Sequence, residues 1–236
     1  MTSMTAKFDK QSEFKKGIQA ALSIALGYMP VALTYGLLAK TTGLNFYETM
    51  MMSILVYAGA AQYIALNLIA IGTGVFEIIF TIFVVNIRHF LMSASLSGKV
   101  ENDRRAMKAL YAFWITDETF ALTATRKGIL STGFMLGVCV VAYVSWVVFS
   151  GFGYAVGSVL PDVLQQSMGI ALYAMFIGLL VPSLKKSRKV LYLAVMAAIM
   201  NSAFSLLLST GWAIILATLI SSFVVEWFWK GEKKDA

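Results

Sequence analysis

Eight apolar stretches, each close to the roughly 20 residues that a helix needs to cross the hydrocarbon core of a bilayer, divide this chain of 236 residues. They run over residues 17–39, 46–71, 75–98, 105–125, 129–154, 165–184, 190–209 and 211–229. Lipid cannot hydrogen-bond to the backbone, so each stretch must satisfy its own N–H and C=O groups, and at this length it does so as a helix. The expected fold is all-α, a polytopic membrane helix bundle. Composition points the same way: 59% of residues are hydrophobic and 13% charged, against roughly 25% charged in soluble domains. A soluble body of this size has too much surface to hide so many apolar side chains.

The formal charge of +7 does not indicate nucleic acid. The basic residues stand in short runs between apolar segments: Lys7/Lys10/Lys15/Lys16, Lys99/Arg104/Arg105/Lys108, Arg126/Lys127, Lys185/Lys186/Arg188/Lys189 and Lys230/Lys233/Lys234. That is the pattern of loops facing the cytoplasmic leaflet. Residues 1–16 read as a polar cytoplasmic segment, 17–230 as a single transmembrane domain and 231–236 as a cytoplasmic tail. The first apolar stretch is too long for a signal-peptide core. The lone Cys139 can form no internal disulfide and reads as a small buried hydrophobe.

A shift of 89 residues lays Lys15-Lys16 on Arg104-Arg105 and Val31–Thr34 on Phe120–Thr123. It suggests three-segment repeats over 15–100 and 104–189, followed by a helix pair over 190–229. The repeat would pair the two oddest stretches, Gly27-Tyr28-Met29-Pro30 and Thr116-Asp117-Glu118. Pro30 lacks an amide donor and clashes with the preceding turn, so it either kinks the first segment or breaks it in two. If all eight segments cross, the Lys99–Lys108 cluster falls on the outer side. If segments one and four dip in and return, every cluster falls inside. Six and eight crossings both remain open, and both put the two termini in the cytoplasm.

Polar groups inside apolar segments are expensive and therefore informative. Asp117 and Glu118 lie in the middle of segment four, where they can take a proton or a substrate amine, or instead pair with Arg104, Arg105 or Arg126. Late in segment three come Asn86, Arg88 and His89. Arg88 can pair with Asp117, Glu118 or a substrate carboxylate, and the single histidine titrates near neutral pH. The alternative has both snorkelling to the headgroups. In segment two, Tyr57-Ala58-Gly59-Ala60-Ala61-Gln62 combines small residues, which let helices approach closely, with an amide that packing alone does not explain. Asn67 and Asn201 are further buried-amide candidates. No metal-ligand set, nucleotide loop or nucleophile elbow is present in the sequence, so no cofactor and no enzymatic activity are expected.

Several of these stretches resemble the AzlC family, the large subunit of branched-chain amino acid exporters. They are Gly27–Pro30 with Tyr35-Gly36, Tyr57–Gln62, Asn86–Met92 and Thr116–Leu122, and the likeness extends from about Lys15 to Trp229. The resemblance implies export of hydrophobic amino acids such as valine from the cell, through the inner membrane, with a small AzlD-like membrane subunit as partner. On this reading Gly27, Pro30, Tyr35, Tyr57, Gly59, Gln62 and Asn86 contact the substrate. Arg88, His89, Asp117 and Glu118 handle protons for a secondary transporter. The competing reading is a membrane scaffold that transports nothing and whose polar residues serve assembly.

Overall fold

The computed structural model describes residues 10–156 and 187–232, with scattered positions between 159 and 185. The sixth apolar stretch, 165–184, falls largely outside the described residues, as do residues 1–9 and 233–236. Among the described residues the chain is all-α, with an isolated bridge between Val100 and Leu130 as its only extended pairing. The helices are α1 (Lys10–Thr41), α2 (Phe46–Leu55), α3 (Gly59–Ala70), α4 (Val75–Leu96), α5 (Arg105–Trp114), α6 (Asp117–Thr125), α7 (Thr132–Val156), α8 (Arg188–Phe204) and α9 (Thr210–Glu232). Four of these are long and apolar enough to cross a membrane: Ser12–Thr41, Val75–Leu96, Thr132–Val156 and Thr210–Trp229.

The chain divides into two compact units, Met1–Tyr63 with Asn86–Gly169 and Ile64–Val85 with Ile170–Ala236. The first is built on α1 and α7, which run parallel and almost in backbone contact. A Cβ on Gly17 would stand 2.4 Å from the Phe134 carbonyl oxygen, and one on Gly137 2.4 Å from that of Phe14. Towards the other end of the pair, a Cβ on Gly36 would meet the Ser150 oxygen at 2.1 Å, and one on Gly153 the Leu33 oxygen at 2.1 Å. No side chain fits at these four positions, and in lipid such close approach yields the dispersion contact that hydrophobic burial cannot supply. Between the glycine pairs, the Ser145 hydroxyl donates to the Ala25 carbonyl at 3.1 Å.

Pro30 does not break α1, which is one helix of 32 residues. Transmembrane helices tolerate the lost bond where neighbours supply others. The acceptor left without its backbone donor is the Leu26 carbonyl, and the turn that follows carries added bonds, from the Thr34 hydroxyl to the Pro30 carbonyl (2.9 Å) and from the Tyr63 hydroxyl to that of Val31 (2.7 Å). The interruptions fall elsewhere. Segment two is two helices joined at Val56–Ala58, and segment four is two helices joined at Ile115–Thr116. The 89-residue shift therefore pairs unlike elements, a continuous helix with an interrupted one.

Both interrupted segments turn back on themselves. In the first, Asn45 and Glu48 form a capping box that starts α2, and the Tyr154 hydroxyl, near the end of α7, donates to the Leu44 carbonyl (3.1 Å). The chain then descends to the level of Tyr143, whose hydroxyl donates to the Ile54 carbonyl (2.9 Å), and reverses. Gln62 on the returning arm donates to the Ser53 hydroxyl on the descending one (3.3 Å), and Tyr63 is back beside Tyr35. In the second, α5 begins and α6 ends at the same place. The Lys99 ammonium donates to the Ala124 and Arg126 carbonyls at the end of α6 (2.5 and 2.7 Å), and Asp103, just before α5, accepts from Thr132 at the start of α7 (2.6 Å).

The two hairpins enter the unit from opposite ends of the α1–α7 pair. The end occupied by α5–α6 carries Lys15, Lys16, Lys99, Arg104, Arg105, Lys108, Arg126 and Lys127. It is fastened by Glu13, which is buried in α1 and accepts from Arg126 (2.8 Å) and Lys16 (2.8 Å). Segment four thus returns, as in one of the two topologies expected, but segment one, expected to return with it, is a single helix long and apolar enough to span, and segment two is the other hairpin.

In the second unit, Glu77, in the first turn of α4, accepts from the Ser209 hydroxyl (2.5 Å) and the Trp212 amide (3.2 Å), placing a carboxylate at the amino terminus of α9, where the helix dipole favours it. Lys189 pairs with Glu226, and Tyr192 packs on Trp229.

The glycine contacts set a stability prediction. Gly36→Ala drives a methyl into the α7 backbone and should cost about 3 kcal/mol, the upper range for overpacking. Gly27→Ala, with nothing within 4 Å of its new Cβ, should gain roughly 0.5–1 kcal/mol of helix propensity. Thermal unfolding of the two detergent-solubilised variants beside the parent checks both signs.

Candidate functional site

The tips of the two hairpins meet against the middle of α1 and α7. At the first tip, Tyr57 is the one non-glycine residue with positive φ (+43°) among those described, a conformation that costs an L-residue about 1–2 kcal/mol. Its surroundings hold it there: the ring is buried edge-on against Tyr143, centroids 4.9 Å apart. Its hydroxyl is buried without a hydrogen-bond partner. Gly59 follows because the Trp146 indole lies where a side chain would be, 2.8 Å from an ideal Cβ. That indole donates to Gln62 Oε1 (2.9 Å), and Gln62 is fully buried. Gln62 is thereby satisfied at both ends, accepting from α7 and donating across its own hairpin.

The second tip is a capped helix start. Thr116 accepts from the Thr119 amide (3.3 Å) while Thr119 accepts from the Thr116 amide (2.8 Å), a reciprocal pairing that satisfies otherwise orphaned donors at the beginning of α6. Asp117 and Glu118 occupy the first turn, where the helix dipole favours negative charge. From the middle of α1, the Tyr28 hydroxyl reaches both Thr116 Oγ1 (2.7 Å) and Glu118 Oε2 (2.6 Å), donating to the carboxylate. The Tyr28 ring is edge-on to Trp146 (5.3 Å), and Trp146 also stacks with Tyr35 (6.2 Å). Tyr143 touches both tips: besides Tyr57, its ring packs on Trp114 (5.5 Å) and Phe113 (6.3 Å).

Most of the expected residues lie in or beside this cluster. Tyr35, Tyr57, Gly59, Gln62 and Glu118 are in it, and Pro30 is half-buried next to it on α1. Arg88 pairs with Asp117 at 2.7 Å, their side chains 32% and 26% exposed. Neither residue snorkels to a helix end; the pair links α4 to the second tip. His89 follows Arg88 on α4 and is half-buried, and Asn86 Oδ1 and Arg88 Nε are buried without partners. Gly27 is not brought in. It is exposed on α1 with open space beside it. Asn67 is exposed, and Asn201 belongs to the second unit, with its Oδ1 buried and unpartnered.

Sequence reasoning passed over Tyr28, Ser53, Thr116, Thr119, Tyr143 and Trp146. The two threonines carried a readable signal, since Thr-x-x-Thr with two acids between them is a helix start. The aromatic residues carried none, because a tyrosine or tryptophan in an apolar segment is as ordinary against lipid as against protein.

What the arrangement offers chemically is a polar point in an otherwise apolar unit. It has a carboxylate, hydroxyls, an amide and two helix amino termini, α3 and α6, within reach of one another's neighbours. Chain reversals of this kind at depth are tolerated only where protein or a water-filled cavity shelters them.

Comparison with known proteins gives the following. The profile of the family described as AzlC protein matches residues 23–160. An uncharacterized membrane protein of Archaeoglobus fulgidus is 30% identical over 92% of this chain and 96% of its own length. The inner membrane protein YgaZ of Escherichia coli is 30% identical over 92% of both chains. The branched-chain amino acid transport protein AzlC of Bacillus subtilis is 22% identical over 93% of this chain and 86% of its own. No solved structure matches.

The buried amide sets the prediction for this site. Gln62→Leu removes the acceptor of the Trp146 N–H and the donor to Ser53 at once, and should cost about 1–3 kcal/mol for the indole left unsatisfied. Trp146→Phe in the same background should then cost less than it does alone. A double-mutant cycle on thermal unfolding measures the difference.

Proposed function

The chain belongs to the AzlC family of membrane proteins, and from that premise we propose that it exports branched-chain and related hydrophobic amino acids such as valine. Export is driven by the proton gradient and carried out with a small AzlD-like membrane subunit. The observation that carries this reading is the meeting of two oppositely directed hairpins on Tyr28, Tyr143 and Trp146. A site at mid-depth, closed from one end by one interrupted helix and from the other end by a second, suits a carrier that opens to one side at a time.

The substrate is a zwitterion with an aliphatic side chain. Its carboxylate suits the amino terminus of α3, its ammonium suits Glu118 and the Tyr28 hydroxyl, and its side chain suits the aromatic walls. Asp117, Glu118 and His89 carry the protons, with Arg88 as the fixed positive charge beside Asp117. The basic end of the first unit faces the cytoplasm by the positive-inside tendency. That puts the α5–α6 hairpin on the cytoplasmic side and α2–α3 on the outer side.

Flux of labelled valine into or out of vesicles, with the chain alone and with its partner, tests this reading, with and without a pH gradient. Wild type should move valine faster when a gradient is imposed. A variant carrying Asp117→Asn, Glu118→Gln and His89→Gln should lose that acceleration, its flux falling to the level seen without a gradient. Full acceleration in the triple variant removes these residues from coupling, and absence of amino acid flux under every condition overturns the transport reading. Loss of partner co-purification in the same variants, with flux per assembled complex unchanged, would favour the scaffold.

A further inference from the structure

A cavity on the basic side of the second hairpin tip lies between the last turns of α4, α5 and the start of α7. It has a volume of about 50 Å³ and is lined by Ser93, Leu96, Ser97, Val100, Lys108, Tyr111, Ile115 and Met135. The lining is set by helix periodicity. Ser93, Leu96, Ser97 and Val100 share one face of α4 and its extension, and Lys108, Tyr111 and Ile115 share one face of α5. A buried water occupies roughly 10–15 Å³ of such space and needs two or more polar partners. The cavity has room for a few; Ser93, Ser97 and Lys108 put polar groups at its outer part, the Tyr111 hydroxyl donates to Asp103 (2.8 Å), and Leu96, Val100, Ile115 and Met135 make the rest of the wall apolar.

It also has a direction. Ser97 and Lys108 are exposed and stand at the basic end, Ser93 is intermediate, and Tyr111, Met135 and Ile115 are buried. The inner wall is made by Leu96, Tyr111, Met135 and Ile115, the last being the first residue of the break between α5 and α6, extended at φ −73° and ψ 128°. The next residue, Thr116, is hydrogen-bonded to Tyr28. Ile115 is thus part of the cavity wall, and the residue that follows it belongs to the polar cluster at the hairpin tips.

We propose that this cavity is a water-filled inlet from the basic end and that Ile115 is the apolar plug that closes it from the Tyr28–Thr116–Glu118 cluster. The proposal rests on the transport reading of that cluster and adds to it the route and the barrier on one side. Ile115 suits the role because it belongs to the hairpin tip itself. Any rearrangement of the tip moves the plug, and an aliphatic side chain across a narrow neck excludes water without needing a partner.

The test needs no transport and so can fail, or succeed, independently of it. The single native cysteine, Cys139, is fully buried, and Cys139→Ser gives a background for single thiols at Ser97→Cys, Ser93→Cys and Thr116→Cys. A small, charged, membrane-impermeant methanethiosulfonate is applied to each side of oriented membranes. Thiols at 97 and 93 should react from the basic side only, and the thiol at 116 should react slowly. Adding Ile115→Ala should speed reaction at 116 from the basic side by roughly tenfold, equivalent to about 1.4 kcal/mol less barrier to access. No reaction at 93 from the basic side, or equal reaction from both sides, overturns the inlet. An unchanged rate at 116 in the Ile115→Ala background overturns the plug. Should the double variants fail to fold, radiolytic hydroxyl-radical footprinting of the wild-type protein decides on the inlet. Tyr111 and Met135 should be modified several-fold faster than the comparably buried Tyr35, and equal protection of all three overturns it.

Discussion

The near-contact of α1 and α7 backbones is the constraint from which the first unit follows. Gly17 faces Gly137 and Gly36 faces Gly153 with no room for a Cβ at any of the four. Because these pairs lie near both ends of the two helices, the helices are parallel along their whole shared length. A parallel pair leaves room at each end for something else to enter between its flanks, and the chain uses both vacancies for a hairpin. The long, close seam also explains why Pro30 can sit in α1 without ending it. The helix is held by its neighbour over many turns, and a single missing hydrogen bond does not release it.

The hairpins have the same plan and opposite sense. Each is a ten-residue helix, a break, a second short helix and then a long one. Corresponding starts fall at near-constant spacing, Phe46 to Arg105, Gly59 to Asp117 and Val75 to Thr132. Inverted repeats with irregular helices at mid-depth are a common carrier design. The repeat visible in the sequence, with its longer shift, pairs α1 with α5–α6 and so joins a spanning helix to a hairpin. Apolar sequence of low complexity supplies such alignments readily, and the structural repeat has too few shared side chains to compete with them.

The helical class and the position of the apolar segments were legible because hydrophobic length is a direct physical requirement of the bilayer. The return of segment four was one of two topologies left open. The charge rule favours a hairpin that puts Lys99 to Lys108 at the same end as Arg126 and Lys127, but it was drawn with segment one returning too, and α1 is one continuous helix. The return of segment two was not legible. Its break has no proline, and the residue that reverses the chain is a tyrosine in a left-handed conformation, maintained by Tyr143 and Trp146 from α7. Local propensity argues against that conformation, and only the tertiary partners reveal it. The same holds for Gln62, whose oddity in an apolar run could be noticed but whose partner could not be named. Asp117, Glu118, Arg88 and His89 stood out because charge in lipid is costly. Tyr28 did not, although it is the residue that joins α1 to the acids.

Lys99 has a mechanical consequence for the α5–α6 hairpin. Its ammonium grips two carbonyls at the foot of α6, while Glu13 holds Arg126 just beyond and Asp103 holds Thr132. The foot is therefore pinned by charge-assisted bonds on three sides, each stronger than an ordinary neutral one. The apex is held by the Arg88–Asp117 ion pair, the Tyr28 bond to Glu118, threonine hydroxyl contacts and aromatic edges. The foot is tied to α7 and to the Lys99 loop and the apex to α1 and α4, so a change in the Asp117 or Glu118 bonds would move the residues around Ile115 and Thr116 without releasing the base. The base of the hairpin stays where the basic end of the molecule fixes it.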